Sequence, residues 1–323
     1  MIKKICVFGI GGVGGFYGGK IANEIIKGKK DYEVYFVGRG EHLKQVQSNG
    51  LILNTPDEKG IICMPTRAVE SYAQLPVADL IFVCVKSYDL PGVMKDISEN
   101  CKKDAYIIPL LNGVDIYDRI REHLDNGVVF PSCVYIGTAI EKPGTVTQSG
   151  GSGIIHLGKD PKHIEVIPED LFVFLDEMGI KYNWLENSLP AIWEKFIFIA
   201  GFGIYTAYSG KVFGEIMSDE NSKQEVRNSM NEIVALAKAE GITLCETIVE
   251  DLLNKANNFA YDTKTSYQRD VEQKGKKNEG DLFGGTIIRL GKKYNIPVTT
   301  TERLYNAINN QQNHEYKQNT GTI

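Results

Sequence analysis

Apolar residues fall in short, nearly unbroken runs through the first half of the chain. The runs are Ile5-Cys6-Val7-Phe8, Tyr32-Glu33-Val34-Tyr35-Phe36-Val37, Asp79-Leu80-Ile81-Phe82-Val83-Cys84-Val85, Ala105-Tyr106-Ile107-Ile108-Pro109-Leu110-Leu111 and Val128-Val129-Phe130. Runs of this length, rich in β-branched residues, read as strands, and their lack of alternation fits parallel strands covered on both faces. Strands alternating with helical stretches predict a doubly wound sheet whose ligand lies at the carboxyl ends of the strands. Between Cys133 and Leu157 the texture changes. Thr138-Ala139, Gly144 to Gln148 and Gly153 to Gly158 read as short strands joined by Gly and Pro turns, a β meander expected to extend the sheet. Pro168 to Met178 reads as a helix closed by Gly179, and Ile180 to Leu185 as a last strand.

From about Asn187 the period lengthens to that of helices. Phe196 to Tyr205 is a buried helix, too short to span a bilayer. Val226, Met230, Ile233, Val234 and Ala237 share one helical face, with Ser218 or Asp219 able to cap its start and Gly241 its end. Further helices are expected at 246–258, 264–275, 280–294 and 301–310, while Gln311 to Ile323 has little to bury and is expected to fray. The expected organisation is therefore an α/β N-terminal domain, 1–186, followed by an all-helical domain, 187–323, with the active site in the cleft between them.

The first strand runs straight into Gly9-Ile10-Gly11-Gly12-Val13-Gly14, a G-x-G-x-x-G turn that opens a helix. In a Rossmann-type fold the first glycine permits the turn, the second lets the backbone approach a pyrophosphate, and the third lets the helix pack closely on the sheet. Glycine clusters also make plain turns; the flanking strand and helix favour a dinucleotide site. Arg39 follows the second strand, where an acidic residue would bind the ribose of NAD and a basic one accommodates the 2′-phosphate of NADP. A solvated surface arginine is the alternative, and Glu41 keeps NAD open. Lys86 and Asn112 end the next two strands at the same edge, suited to a nicotinamide-ribose or carboxylate contact, or else a surface lysine and a turn-forming Asn-Gly pair. Lys195 sits at the mouth of the apolar helix, where desolvation would lower its pKa toward that of a general acid. Snorkelling from a helix end explains it equally well.

The bulk numbers narrow the class. At 323 residues two domains are the default. A formal charge of −5 argues against non-specific nucleic-acid binding. The six cysteines are scattered, with no C-x-x-C and no zinc spacing, which reads as reduced thiols in a cytoplasmic protein without a metal site. Lys3-Lys4 before an apolar stretch superficially resembles a secretion signal, but five glycines between Gly9 and Gly15 would spoil its helix.

Taken in order, Gly9 to Gly14, Val85-Lys86, Leu111-Asn112-Gly113, Trp193-Glu194-Lys195 and the late Ser266…Glu279 pairing resemble the ketopantoate (2-dehydropantoate 2-) reductases. Lys142-Pro143-Gly144 and the helical second half extend the resemblance over nearly the whole chain. It implies NADPH-dependent reduction of 2-dehydropantoate to pantoate, a step of pantothenate and coenzyme A biosynthesis. By that resemblance Lys195 donates a proton to the ketone oxygen, Glu279 orients the substrate hydroxyl and supports the lysine, and Ser266 holds the substrate carboxylate. Lys86 and Asn112 become the cofactor-facing and substrate-facing pair, and Arg39 the 2′-phosphate ligand. The expected partner is a small 2-oxo acid, not nucleic acid or membrane, with a homodimer allowed. Two positions depart from the family. Asparagines four and eight residues after the lysine are replaced by Ile199 and Gly203. That leaves open the same chemistry on another 2-oxo or 3-oxo acid. A non-catalytic dinucleotide-binding regulator is the reading from a different class, and Lys195 and Glu279 argue against it.

Overall fold

The computed structural model describes residues 1–273 and 275–320, with side chains to residue 312. The chain divides into two compact units, Met1–Leu189 and Pro190–Ile323.

The first unit alternates strand and helix: β1 (Lys4–Phe8), α1 (Gly12–Gly28), β2 (Glu33–Val37), α2 (Gly40–Asn49), β3 (Leu51–Asn54), β4 (Ile61–Cys63), β5 (Arg67–Val69), β6 (Leu80–Val83), α3 (Leu90–Asn100), β7 (Tyr106–Pro109), α4 (Ile116–Arg121) and β8 (Val128–Val129). It continues through β9 (Ser132–Val134), β10 (Gly137–Lys142), β11 (Thr145–Gly150), β12 (Ile155–Gly158), α5 (Glu169–Glu177) and β13 (Tyr182–Leu185). Six strands form one parallel sheet in the order β5-β2-β1-β6-β7-β8. Chain order reverses on either side of β1, the arrangement that opens a ligand crevice at the carboxyl edge. The apolar runs are fully used: Ile5, Val7, Leu80, Ile81, Phe82 and Val83 are all inaccessible to solvent.

The expected meander does not extend this sheet. β10 and β11 join β3 and β4 in a separate four-stranded sheet, and β9, β12 and β13 form a third. The pairing of β11 with β3 brings Thr145 beside Ile52, a contact between distant parts of the chain that local pattern does not announce. This second sheet covers the outer side of α1. A Cβ on Gly18 would meet Phe36 at 2.7 Å on one side of the helix, and one on Gly15 would meet Val146 at 2.6 Å on the other. The glycines of α1 thus allow two sheets to close on one helix. The close packing this permits offsets an interior-helix penalty of about 1 kcal/mol for each glycine.

A buried carboxylate ties the edge of this unit together. Asp160 accepts hydrogen bonds from Tyr117 Oη at 2.6 Å, from the backbone N–H of Val129 and Lys162 at 2.9 Å each, and from the Arg121 guanidinium.

Among its described residues the second unit has helices and connecting turns but no strand: α6 (Leu189–Ser209), α7 (Phe213–Ser218), α8 (Glu220–Ala239), α9 (Ile248–Ala256), α10 (Ser266–Glu272), a π-helical turn (Asp281–Gly285), α11 (Thr286–Tyr294) and α12 (Thr299–Thr320). Gly241 ends α8 at φ 76°, as expected of a helix-closing glycine. The expected helix 280–294 begins with the π turn. The last helix runs to Thr320, beyond the expected end at 310; residues 321–323 lie outside the described residues. No helix among the described residues is long and apolar enough to cross a membrane.

Candidate active site

Three glycines of the turn after β1 each have a distinct reason to be glycine. Gly9 has φ 90°, and a Cβ there would meet Val85 Cγ1 at 2.7 Å and the Cys84 carbonyl oxygen at 2.9 Å. At Gly14 a Cβ would fall 1.9 Å from the Gly9 carbonyl oxygen. Gly11 differs: nothing lies within 4 Å of its Cβ position. It caps α1 without a side chain, and the first turn carries no acidic residue. The first-turn N–H groups thus meet neither a capping side chain nor an acid of their own helix, which fits a pyrophosphate. Gly12 is excluded from bearing a side chain by the Thr138 carbonyl oxygen, 2.6 Å from its Cβ position. Ile10 is buried, packing where Gly38 leaves room, and Val13 packs on the core. Both therefore offer backbone rather than side chain.

The other first-unit candidates line the same edge. Arg39 caps α2, two residues beyond the end of β2. Its guanidinium is paired with Asp89, Nη2 to Oδ2 at 2.6 Å and Nη1 to Oδ1 at 3.4 Å. Lys86 and Asn112 each stand three residues beyond the adjacent strands β6 and β7. Both are half-buried and both are engaged with neighbours. The sheet thus brings Arg39, the glycine turn, Lys86 and Asn112 to the ends of β2, β1, β6 and β7 in that spatial order.

His42 belongs beside them and carries no sequence signal. Its Nδ1 accepts the Gly144 N–H at 3.0 Å, and Nε2 lies near the Ile10 carbonyl but outside hydrogen-bonding geometry. It braces the glycine turn against the Lys142-Pro143-Gly144 corner. Burial holds its imidazole pKa below the usual value.

In the second unit Lys195 is not at the mouth of its helix. It is the seventh residue of α6, among Trp193, Phe196, Ile197 and Phe198, and only 7% exposed. Snorkelling from a helix end is therefore not its situation. Glu279 is 4% exposed and stands two residues before the π-helical turn, next to its capping Gly280. Among the described residues just three Lys, Arg, Asp or Glu side chains are buried: Asp160, Lys195 and Glu279. Asp160 is accounted for by Arg121. Burying charge is costly and persists where it is paired or used, and both Lys195 and Glu279 have interaction partners.

The chain neighbours of the second-unit candidates meet. The Phe283 ring lies 6.2 Å from that of Phe196 and 5.4 Å from that of Tyr267. Thr265, which caps α10 just before Ser266, is bonded to Thr206 of α6 at 2.7 Å. Ser266 itself is exposed at the first position of α10. Tyr267 emerges here unforeseen. It is fully buried against Gly203, and its hydroxyl has no hydrogen-bond partner among the described residues.

Residues 5–162 match the family model for ketopantoate reductase PanE/ApbA, and residues 187–312 match that for ketopantoate reductase PanE/ApbA C terminal. The chain is 25% identical to the uncharacterized oxidoreductase YkpB of Bacillus subtilis over 94% of its length and 96% of that protein's. It is 24% identical to the 2-dehydropantoate 2-reductase of Halobacterium salinarum, covering 94% and 97%. The crystal structure of a PanE/ApbA family ketopantoate reductase from Ralstonia eutropha superposes with a TM-score of 0.85 at 25% identity, covering 97% and 99%. D-mandelate dehydrogenase, solved with NADH and anilino(oxo)acetate, shares the fold with a TM-score of 0.84 at 22% identity, covering 96% and 99%.

Proposed function

The chain belongs to the ketopantoate reductase family and is an oxidoreductase, and from that premise we propose that it reduces a branched 2-oxo acid with NADPH, 2-dehydropantoate being the first candidate. The observation that carries the reading is the burial of Lys195 and Glu279 once Asp160 is set aside. A dinucleotide-binding regulator would have no use for two buried charges in its helical half.

In this reading the first domain, 1–186, binds the dinucleotide and the second, 187–323, handles the substrate. The N–H groups after Gly11 hold the pyrophosphate, and Arg39 takes the 2′-phosphate. Lys86 and Asn112 position the nicotinamide ribose and the substrate from the ends of β6 and β7. Bound reduced nicotinamide supplies the hydride. Lys195 Nζ faces the ketone oxygen, stabilises the negative charge that gathers there, and transfers its proton to it. Glu279 orients the substrate hydroxyl and supports the lysine, and Ser266 holds the substrate carboxylate. Scattered cysteines outside any disulfide support a cytoplasmic setting in pantothenate and coenzyme A synthesis.

A second reading keeps these residues and changes the acid. Ile199 and Gly203 put no amide on the substrate wall, where the family resemblance expects two. A fold that also carries a mandelate dehydrogenase does not by itself select the substrate or the cofactor. The test is NADPH oxidation, followed by absorbance, over a panel of 2-oxo and 3-oxo acids. Fastest turnover of 2-dehydropantoate supports the first reading, and another acid at the head of the panel supports the second. No turnover with any acid contradicts both.

A further inference from the structure

The acid that faces Arg39 is not Glu41 but Asp89. Glu41 turns along its own helix, accepting from Gln45 Nε2 at 3.0 Å and standing 4.0 Å from Lys44. Asp89 comes from the far side of the crevice. Arg39 follows β2 and Asp89 follows β6, and these two strands flank β1. Their ion pair therefore reaches across the carboxyl end of β1, above which the adenosine half of a dinucleotide lies in a doubly wound sheet. Asp89 also stands at the start of α3 yet makes no side-chain bond to that helix end. Its carboxylate is given to the arginine.

We propose that Asp89 is a specificity-determining residue of the dinucleotide site: by holding the Arg39 guanidinium it lowers affinity for a 2′-phosphorylated dinucleotide and leaves affinity for the unphosphorylated one unchanged. The proposal rests on the reading of Arg39 as the 2′-phosphate ligand. Asp89 occupies the Nη1–Nη2 edge of the guanidinium, and one such edge engages one carboxylate or phosphate bidentately at a time. A phosphate that takes the fork must displace the carboxylate and then sit beside it, like charge against like. An unphosphorylated ribose leaves the pair intact. The handicap is modest because the pair is wet, with the Arg39 side chain 75% exposed and that of Asp89 25%. An exposed pair of this kind is worth a factor of about five or less, and salt screens it.

The test is calorimetric titration of the full chain with NADPH, NADH, adenosine 2′,5′-bisphosphate and AMP, for wild type, Asp89→Asn, Asp89→Ser, Arg39→Ala and the Arg39→Ala/Asp89→Asn double variant. Both Asp89 variants are expected to tighten NADPH and the bisphosphate by about three- to five-fold, leaving NADH and AMP unchanged. The gain should vanish in the double variant and shrink at high salt. If Arg39→Ala weakens NADPH selectively while both Asp89 variants leave the NADPH-to-NADH ratio of Kd unchanged, the proposal alone is overturned. If Arg39→Ala itself leaves that ratio unchanged, the reading of Arg39 falls and the proposal with it.

Discussion

Gly203 of α6 faces the buried ring of Tyr267, close enough that a Cβ on the glycine would make ordinary contact, 3.8 Å from Tyr267 Cβ. Two residues earlier in the helix, a Cβ on Gly201 would fall 2.6 Å from Met230 Cγ. The two glycines therefore respond oppositely to one methyl group. Gly203→Ala should raise stability by about 0.5–1 kcal/mol through reduced backbone freedom in the unfolded chain. Gly201→Ala should lower it by about 1–3 kcal/mol through overpacking. Thermal unfolding of the two variants side by side checks the signs; a destabilised Gly203→Ala would mean that Tyr267 cannot accommodate the methyl.

The same stretch of α6 bears on the substrate. Ile199→Asn restores one of the two amides that the family resemblance places on the pocket wall. If 2-dehydropantoate is the substrate and binds without that bond, kcat/KM should rise by about three- to ten-fold, the worth of one hydrogen bond. A variant slower than an already efficient wild type would show that the wall has another solution, and Tyr267 would be the place to look for it.

Much of this was legible along the chain, and what was not has a common physical cause. The strand Ile5 to Phe8, the glycine turn and the helix after it are consecutive, so local pattern announces them. Lys195 stands in an apolar helical run that fits a desolvated lysine and a snorkelling one equally; the start of α6 at Leu189, six residues earlier, is what decides between them. By contrast, Arg39 and Asp89 are fifty residues apart and meet only because β2 and β6 flank β1. β3 and β4 are short and owe their place to β11, so the residues after Cys133 read as an extension of the main sheet. His42 and Tyr267 have no signature in sequence, since each is defined by what tertiary packing leaves beside it.

Asp160 anchors a buried ion pair, and removal of one partner strands the other. Asp160→Ala leaves the largely covered Arg121 guanidinium without its carboxylate and also strips the Val129 N–H and the Tyr117 hydroxyl of an acceptor. A loss of about 3–5 kcal/mol is expected in urea unfolding. A loss below 1 kcal/mol would mean that water reaches the pair freely.

His42 sets a pH dependence. Its folded-state pKa lies below the ordinary value of about 6.5 because burial disfavours the charged ring, so the unfolded chain binds more protons here as the pH falls. The stabilisation due to the neutral ring is full above about pH 6.5 and is lost progressively below it. Protonation also removes the Nδ1 acceptor from the Gly144 N–H. His42→Asn keeps an acceptor and cannot titrate there. Its melting temperature should fall less than that of wild type between about pH 7.5 and pH 5.5. Equal falls would assign the pH dependence to other groups.

The central claim is that the buried ammonium of Lys195 serves the ketone oxygen during reduction. It is tested most directly by measuring kcat and, separately, the Kd for NADPH of Lys195→Ala, using the best acid from the substrate panel. The expected result is a kcat lower by about 10²–10⁴-fold, the usual consequence of losing a general acid, with NADPH binding nearly intact. A near-normal kcat, or a loss fully matched by weaker NADPH binding, would contradict the account and turn attention to Lys86.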